Sequence, residues 1–153
     1  MDTQTQPAPR MGWLAQDQDA GPANRISVHF EAGPSAAAWA RNALAAIAAH
    51  VDAELMADVR LLVSELVTNS VRHSDMAAKD SVGLDVVVDA DTIHVQVCDS
   101  GTGFEPQPRR PGQSKAGGWG LYLVERLADR WGVGRNGVTR VWFEIDCGHP
   151  RPA

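Results

Sequence analysis

Cysteine is scarce in this chain of 153 residues: Cys98 and Cys147 are the only two. That excludes a disulfide framework, and it leaves no zinc-binding spacing of cysteines and histidines. Lysine is equally scarce, with Lys79 and Lys115 against twelve arginines. Positive charge is not in excess either. Fourteen basic residues face nineteen acidic ones, for a formal net charge of -5. Overall charge therefore gives no help in gripping nucleic acid or an anionic membrane, and neither is expected as a partner. No apolar run reaches transmembrane length, and no basic stretch followed by an apolar one opens the chain, so a soluble, cytoplasmic protein is expected. What is present is ordinary for a globular domain: 44% hydrophobic and 22% charged residues, in a chain long enough to bury one core without staples.

The organisation reads as three unequal parts. Residues 1–24 carry Gln, Pro, Asp and Ala without periodicity and are expected to be a disordered tail, although Trp13 and Leu14 are candidates for docking. Residues 25–146 form the folding unit, and residues 147–153 are expected to fray. Within the unit, Ile26, Val28 and Phe30 alternate with polar residues, the mark of a half-buried strand. Gly33-Pro34-Ser35 opens a helix whose apolar residues are Ala40, Leu44, Ile47 and Val51. A second helix spans residues 54–74 with Leu55, Val59, Leu62 and Leu66 as its apolar stripe. Strands over residues 82–89 and 92–98 form a hairpin around a short turn. A third helix covers residues 119–129, and strands at 130–135 and 139–146 are joined through Asn136-Gly137. Each strand has one apolar and one polar face. The pattern predicts a two-layer α/β sandwich, with a mixed, mostly antiparallel sheet covered by helices on one face and wet on the other.

Three clusters stand out. In LLVSELVTNSVRHS, Glu65, Asn69 and His73 recur at intervals of four on one side of the second helix, beside Leu62 and Leu66. A carboxylate, an amide and an imidazole thus line the rim of the buried face, while Ser64 and Thr68 fall nearer solvent. An amphipathic helix with aligned polar residues would look the same. In CDSGTGFEP, Asp99 ends an apolar strand and is followed by Gly101 and Gly103, which let a ligand approach the backbone, or simply form a capped turn. In AGGWGLYLVERL, Gly117, Gly118 and Gly120 precede a helix packed through Leu121, Val124 and Leu127. Free N–H groups at such a helix start suit phosphate; a hinge into a core helix is the bland alternative. Arg109, Arg110 and Lys115 lie between the last two clusters, in a segment that is either a lid over phosphates or a solvated loop.

In series, E-L-V-T-N-S-V-R-H, D-S-G-T-G-F and G-G-W-G-L resemble the motifs of the Bergerat-fold (GHKL) ATPases, a group that includes gyrase, the heat-shock 90 chaperones, MutL and histidine kinases. The compact size and the wording of the helix are most similar to anti-sigma-factor serine/threonine kinases of the RsbW and SpoIIAB type. The resemblance covers nearly all of residues 25–146. It implies an ATP site with Mg²⁺. Asn69 would hold the metal, Glu65 would be the general base, and Asp99 would accept the adenine amino hydrogen. Gly101 and Gly103 would shape the nucleotide pocket, while Gly118 and Gly120, with Leu121 beside them, would surround the phosphates. His73 would lie near the phosphates. It further implies a sigma factor and an anti-sigma-factor antagonist as partners, with a homodimer as the common assembly. With no phosphoacceptor-histidine helix ahead of the motifs and no second domain after them in these 153 residues, a stand-alone kinase is expected rather than a sensor kinase, clamp chaperone or topoisomerase. Trp119 departs from the smaller aliphatic residue usual in the third motif. Two functions therefore stand beside each other: a kinase, or a non-catalytic ATP-binding regulatory module that acts by protein–protein binding. A pure association module without nucleotide is the third.

Overall fold

The structure is a computed structural model, and it describes residues 24–73, 81–99, 119–135 and 138–148. It begins with strand β1 (Arg25–Glu31), helix α1 (Ala36–Ala43), a 3₁₀ segment (Leu44–His50) and helix α2 (Ala53–His73). Strands β2 (Ser81–Val88) and β3 (Thr92–Asp99), helix α3 (Trp119–Leu127) and strands β4 (Arg130–Arg135) and β5 (Thr139–Asp146) complete it. The five strands form one sheet in the order β1-β2-β3-β5-β4. All four pairings are antiparallel, so the sheet is purely antiparallel among the described residues rather than mixed. The helices pack on one face, giving the predicted two-layer α/β sandwich.

Alternation along the strands decides which side chains enter the core. Val82, Leu84, Val86 and Val88 of β2, Ile93, Val95 and Val97 of β3, and Val141, Phe143 and Ile145 of β5 all lie on the helix-bearing face and are buried. Helix α2 meets them with Leu55, Met56, Val59, Leu62, Val63, Leu66 and Val67, all buried. The predicted apolar stripe is thus the inner face of α2. Burying each such side chain contributes about 1.5–3 kcal/mol, and this layer holds α2 against the sheet. Arg41 of α1 donates a hydrogen bond to the Ser64 hydroxyl (3.1 Å), which in turn donates to the Arg60 carbonyl (2.7 Å), tying α1 to the outer side of α2.

Two features differ from expectation. The first helix is shorter than predicted. It starts at Ala36, after Pro34, and gives way at Leu44 to 3₁₀ geometry. In a 3₁₀ segment residues three apart eclipse one another, and this brings Leu44 and Ile47 onto one line, both fully buried. An α-helix would place them 60° apart about its axis. The polar face of the sheet is also less wet than predicted. His94 and Gln96 are only 9% and 2% exposed, and Trp142 only 7%. The Trp142 ring lies flat over Gly132, whose missing side chain makes room for it, and stacks on His94 with ring centroids 5.9 Å apart. The face shields itself with its own rings. Smaller shifts move the end of β3 to include Asp99 and the end of α3 to Leu127. Strands β4 and β5 have the predicted bounds; their Asn136-Gly137 link lies outside the described residues.

Candidate functional site

Helix α2 carries the first cluster. Glu65 and Asn69 are one turn apart and both half-buried, at the rim between the inner stripe and solvent. Among the described residues neither side chain makes an ion pair or a side-chain hydrogen bond. His73 is the last residue of α2, and its side chain lies outside the described set.

Helix α3 begins against this row. Gly120 is buried, and its neighbours are the two polar residues themselves. A methyl group at position 120 would stand 2.6 Å from Asn69 Nδ2, 3.1 Å from Glu65 Cβ and 3.5 Å from Asn69 Cγ. The glycine therefore lets α3 close onto α2 at the point where the carboxylate and amide project. Leu121 (4% exposed) and Val124 (fully buried) anchor the helix just beyond it. The first and third clusters, some fifty residues apart in sequence, are in contact.

Strand β3 brings Asp99. It takes the next inward position after Ile93, Val95 and Val97, and it is 3% exposed. In register it pairs with Val82 on one side and Thr139 on the other. Thr139 is itself buried (4% exposed) and occupies the inward position before Val141, Phe143 and Ile145. A buried carboxylate and a buried hydroxyl thus sit side by side at the end of an otherwise apolar stripe. A buried charge must be hydrogen-bonded to persist, so this end of the sheet is chemically distinct from the rest. The sequence reading did not select Thr139. Its signal was available: a polar residue in phase with three core residues of a strand.

Gly101, Gly103, Gly117 and Gly118, together with Arg109, Arg110 and Lys115, lie outside the described residues, as do Trp13, Leu14 and the side chain of Trp119. Among the described residues no three His, Cys, Asp or Glu side chains gather as a metal site, and no helix is long and apolar enough to cross a membrane.

The second concentration of charge is on the opposite face of the sheet. His94 Nδ1 donates to Glu144 (3.1 Å), Arg130 Nε donates to the other Glu144 oxygen (2.6 Å), and Arg130 also binds Asp146 (2.6 Å). Burial is the largest single influence on Glu144 and pushes its carboxyl upward. The hydrogen bonds from Arg130 and His94, with their charges, outweigh it and hold the group below its ordinary value. Burial raises the Cys98 thiol, and Cys147 shifts the same way. Neither is a poised nucleophile.

Residues 30–145 match the histidine kinase-like ATPase domain family, and the chain belongs to it. Among individual proteins, it is similar to the serine-protein kinase RsbW of Listeria monocytogenes serovar 1/2a. The identity is 29% over 120 residues, covering 69% of this chain and 76% of that one. It is likewise similar to the anti-sigma F factor of Clostridium botulinum strain Eklund 17B, 29% identical over 117 residues, covering 69% and 81%. The fold expected from the three motifs, and the family they resemble, are both found.

Proposed function

We propose that this protein is an ATP-dependent serine/threonine kinase of the anti-sigma-factor type, which phosphorylates an anti-sigma-factor antagonist and sequesters a sigma factor. The observation that carries the reading is the close approach of Gly120 to Asn69 and Glu65, which sets the first turn of α3 beside an amide and a carboxylate that make no ion pair or side-chain hydrogen bond among the described residues. Membership of the ATPase family and the likeness to a serine-protein kinase and an anti-sigma factor support it.

The residues fit the nucleotide chemically. Asp99 is a buried acceptor at a strand end, suited to an adenine amino group; guanine would present an acceptor to it instead. Thr139, its cross-strand neighbour, supplies a hydroxyl to the same end of the pocket. Gly120 lets α3 pack closely against Asn69 and Glu65 of α2. One amide suits Mg²⁺, which keeps most of its water and phosphate ligands and needs few from the protein. Asn69 would hold the metal, which when bound neutralises the phosphate oxygens. Glu65 accepts the proton of the attacking serine or threonine hydroxyl as that oxygen bonds to phosphorus. The bond between phosphorus and the oxygen of the departing diphosphate breaks, and ADP leaves. His73, Gly101, Gly103, Gly118 and Leu121 complete the binding set in this reading. A homodimer working in the cytoplasm is part of the same proposal.

The test is phosphate transfer from labelled ATP, with Mg²⁺, to candidate antagonist proteins, comparing the wild type with Glu65→Ala. Transfer by the wild type and a loss of about 10²–10⁴-fold in the variant, with ATP still bound, is the expected result. Regulation of the partner that persists unchanged in Glu65→Ala would assign the chain to the non-catalytic binding class.

A further inference from the structure

Three glycines of the described sheet and helices have a neighbour closer than a side chain would allow. Two of them, Gly83 under His29 and Gly132 under Trp142, seat rings on the outer face of the sheet. The third, Gly120, seats something different: the terminal amide of Asn69, at 2.6 Å from where a Cβ would stand, and the Cβ of Glu65, at 3.1 Å. These two neighbours differ in freedom. Glu65 Cβ is fixed by the backbone of α2. The Asn69 amide is the far end of a side chain with two rotatable bonds, and it is in place only because α3 presents no side chain to it.

We propose that Gly120 is a positioning residue, and that the first turn of α3 acts as a stop that holds the Asn69 amide in the orientation used toward a bound divalent cation. This rests on the kinase reading of Asn69 and adds to it. The role of Gly120 is then not confined to offering a backbone N–H to phosphate; it couples the docking of α3 to the direction of a side chain on α2. A methyl group at position 120 forces either the amide to turn or α3 to withdraw, and each moves the amide relative to the helix start.

The coupling is tested with Gly120→Ala, Asn69→Ala and the doubly substituted protein. Two readouts are used: thermal unfolding without ligand, and ADP binding by calorimetry with Mg²⁺ and with EDTA. Alanine is a better helix former than glycine, so a helical Gly→Ala change at an open site raises the melting temperature. Here it is expected to lower it with Asn69 present and to lose most of that penalty with Asn69→Ala. In binding, Gly120→Ala is expected to weaken the Mg²⁺-dependent part about tenfold more than the Mg²⁺-free part, as displaced supporting groups do at metal sites. If Asn69→Ala abolishes the Mg²⁺ dependence while Gly120→Ala leaves it intact, the positioning role is overturned and the kinase reading stands. If Asn69→Ala leaves the Mg²⁺ dependence intact, the metal role of Asn69 fails first and takes the inference with it. Should Gly120→Ala fail to fold, recovery of folding in the double variant supports the contact, and continued failure overturns it.

Discussion

Two polar rows face away from each other across this molecule, and they are built differently. On the outer face of the sheet, His94, Glu144, Arg130 and Asp146 satisfy one another at 2.6–3.1 Å, with Trp142 laid over the group. On α2, Glu65 and Asn69 are half-buried but have no ion pair or side-chain hydrogen bond among the described residues, and the nearest element offers them a glycine. The first row is closed and uses its charges on itself. The second has no such partner among the described residues. Partial burial alone would not tell them apart; partnership does. The comparison predicts that changes in the outer row alter stability without altering nucleotide affinity, whereas removing a polar group at the inner site, at Glu65, Asn69 or Asp99, alters nucleotide binding or turnover more than stability.

The largest effect is expected at Trp142. Its ring is 7% exposed, fills the space above Gly132 and stacks on His94. Trp142→Ala should cost about 3 kcal/mol of stability, at the lower end for a buried tryptophan because one side of the ring is near solvent. Urea denaturation measures the loss, and ATP affinity of the folded variant should stay unchanged. A fall in affinity comparable to the fall in stability would break the division between the two faces.

Asp99 sharpens the contrast from the other side. Asp99→Asn keeps shape but removes the charge from the hydrogen bond proposed for the adenine amino group. The expected loss is about 2 kcal/mol, a factor of ten to a hundred in ATP affinity. Selectivity for ATP over GTP should fall with it, as read by thermal shift with each nucleotide. Equal affinity in wild type and variant would remove Asp99 from the site.

Much of this was legible in sequence for physical reasons that can be named. Strands β4 and β5 are separated by a strong turn signal, so their bounds were readable to the residue. The α2 stripe and the polar row beside it follow from helical spacing alone. Three things were not legible. Alanine-rich sequence serves 3₁₀ and α geometry alike, so nothing local marked the change at Leu44. The pairing of β3 with β5 spans the whole of α3 and β4, and alternation fixes which face a strand buries, not which strand lies beside it. The closeness of Gly120 to Asn69 is a tertiary contact between helices. The outer face was misread because period-two alternation takes polar for exposed. The glycines at 83 and 132, inside strands, were the available sign that rings lie over the backbone there.

The smallest effect, and the one most specific to the closed row, concerns acid. Glu144 is held below its ordinary pKa by Arg130 and His94 against the opposing pull of burial. A carboxylate depressed in the folded state contributes stability that is whole above its unfolded pKa of about 4.3, and that contribution disappears as pH falls through the folded value. Arg130 is 44% exposed and its pairs are screened, so the whole contribution is about 1 kcal/mol rather than several. Glu144→Gln should therefore lower stability by about 1 kcal/mol at pH 7 and by progressively less below pH 4, as the wild type surrenders the same interaction by protonation. Urea denaturation at a series of pH values follows the difference directly. A penalty that stays constant into acid would mean that the glutamate acts through packing rather than charge. The outer row would then owe its stability to Trp142 and its glycine seat alone.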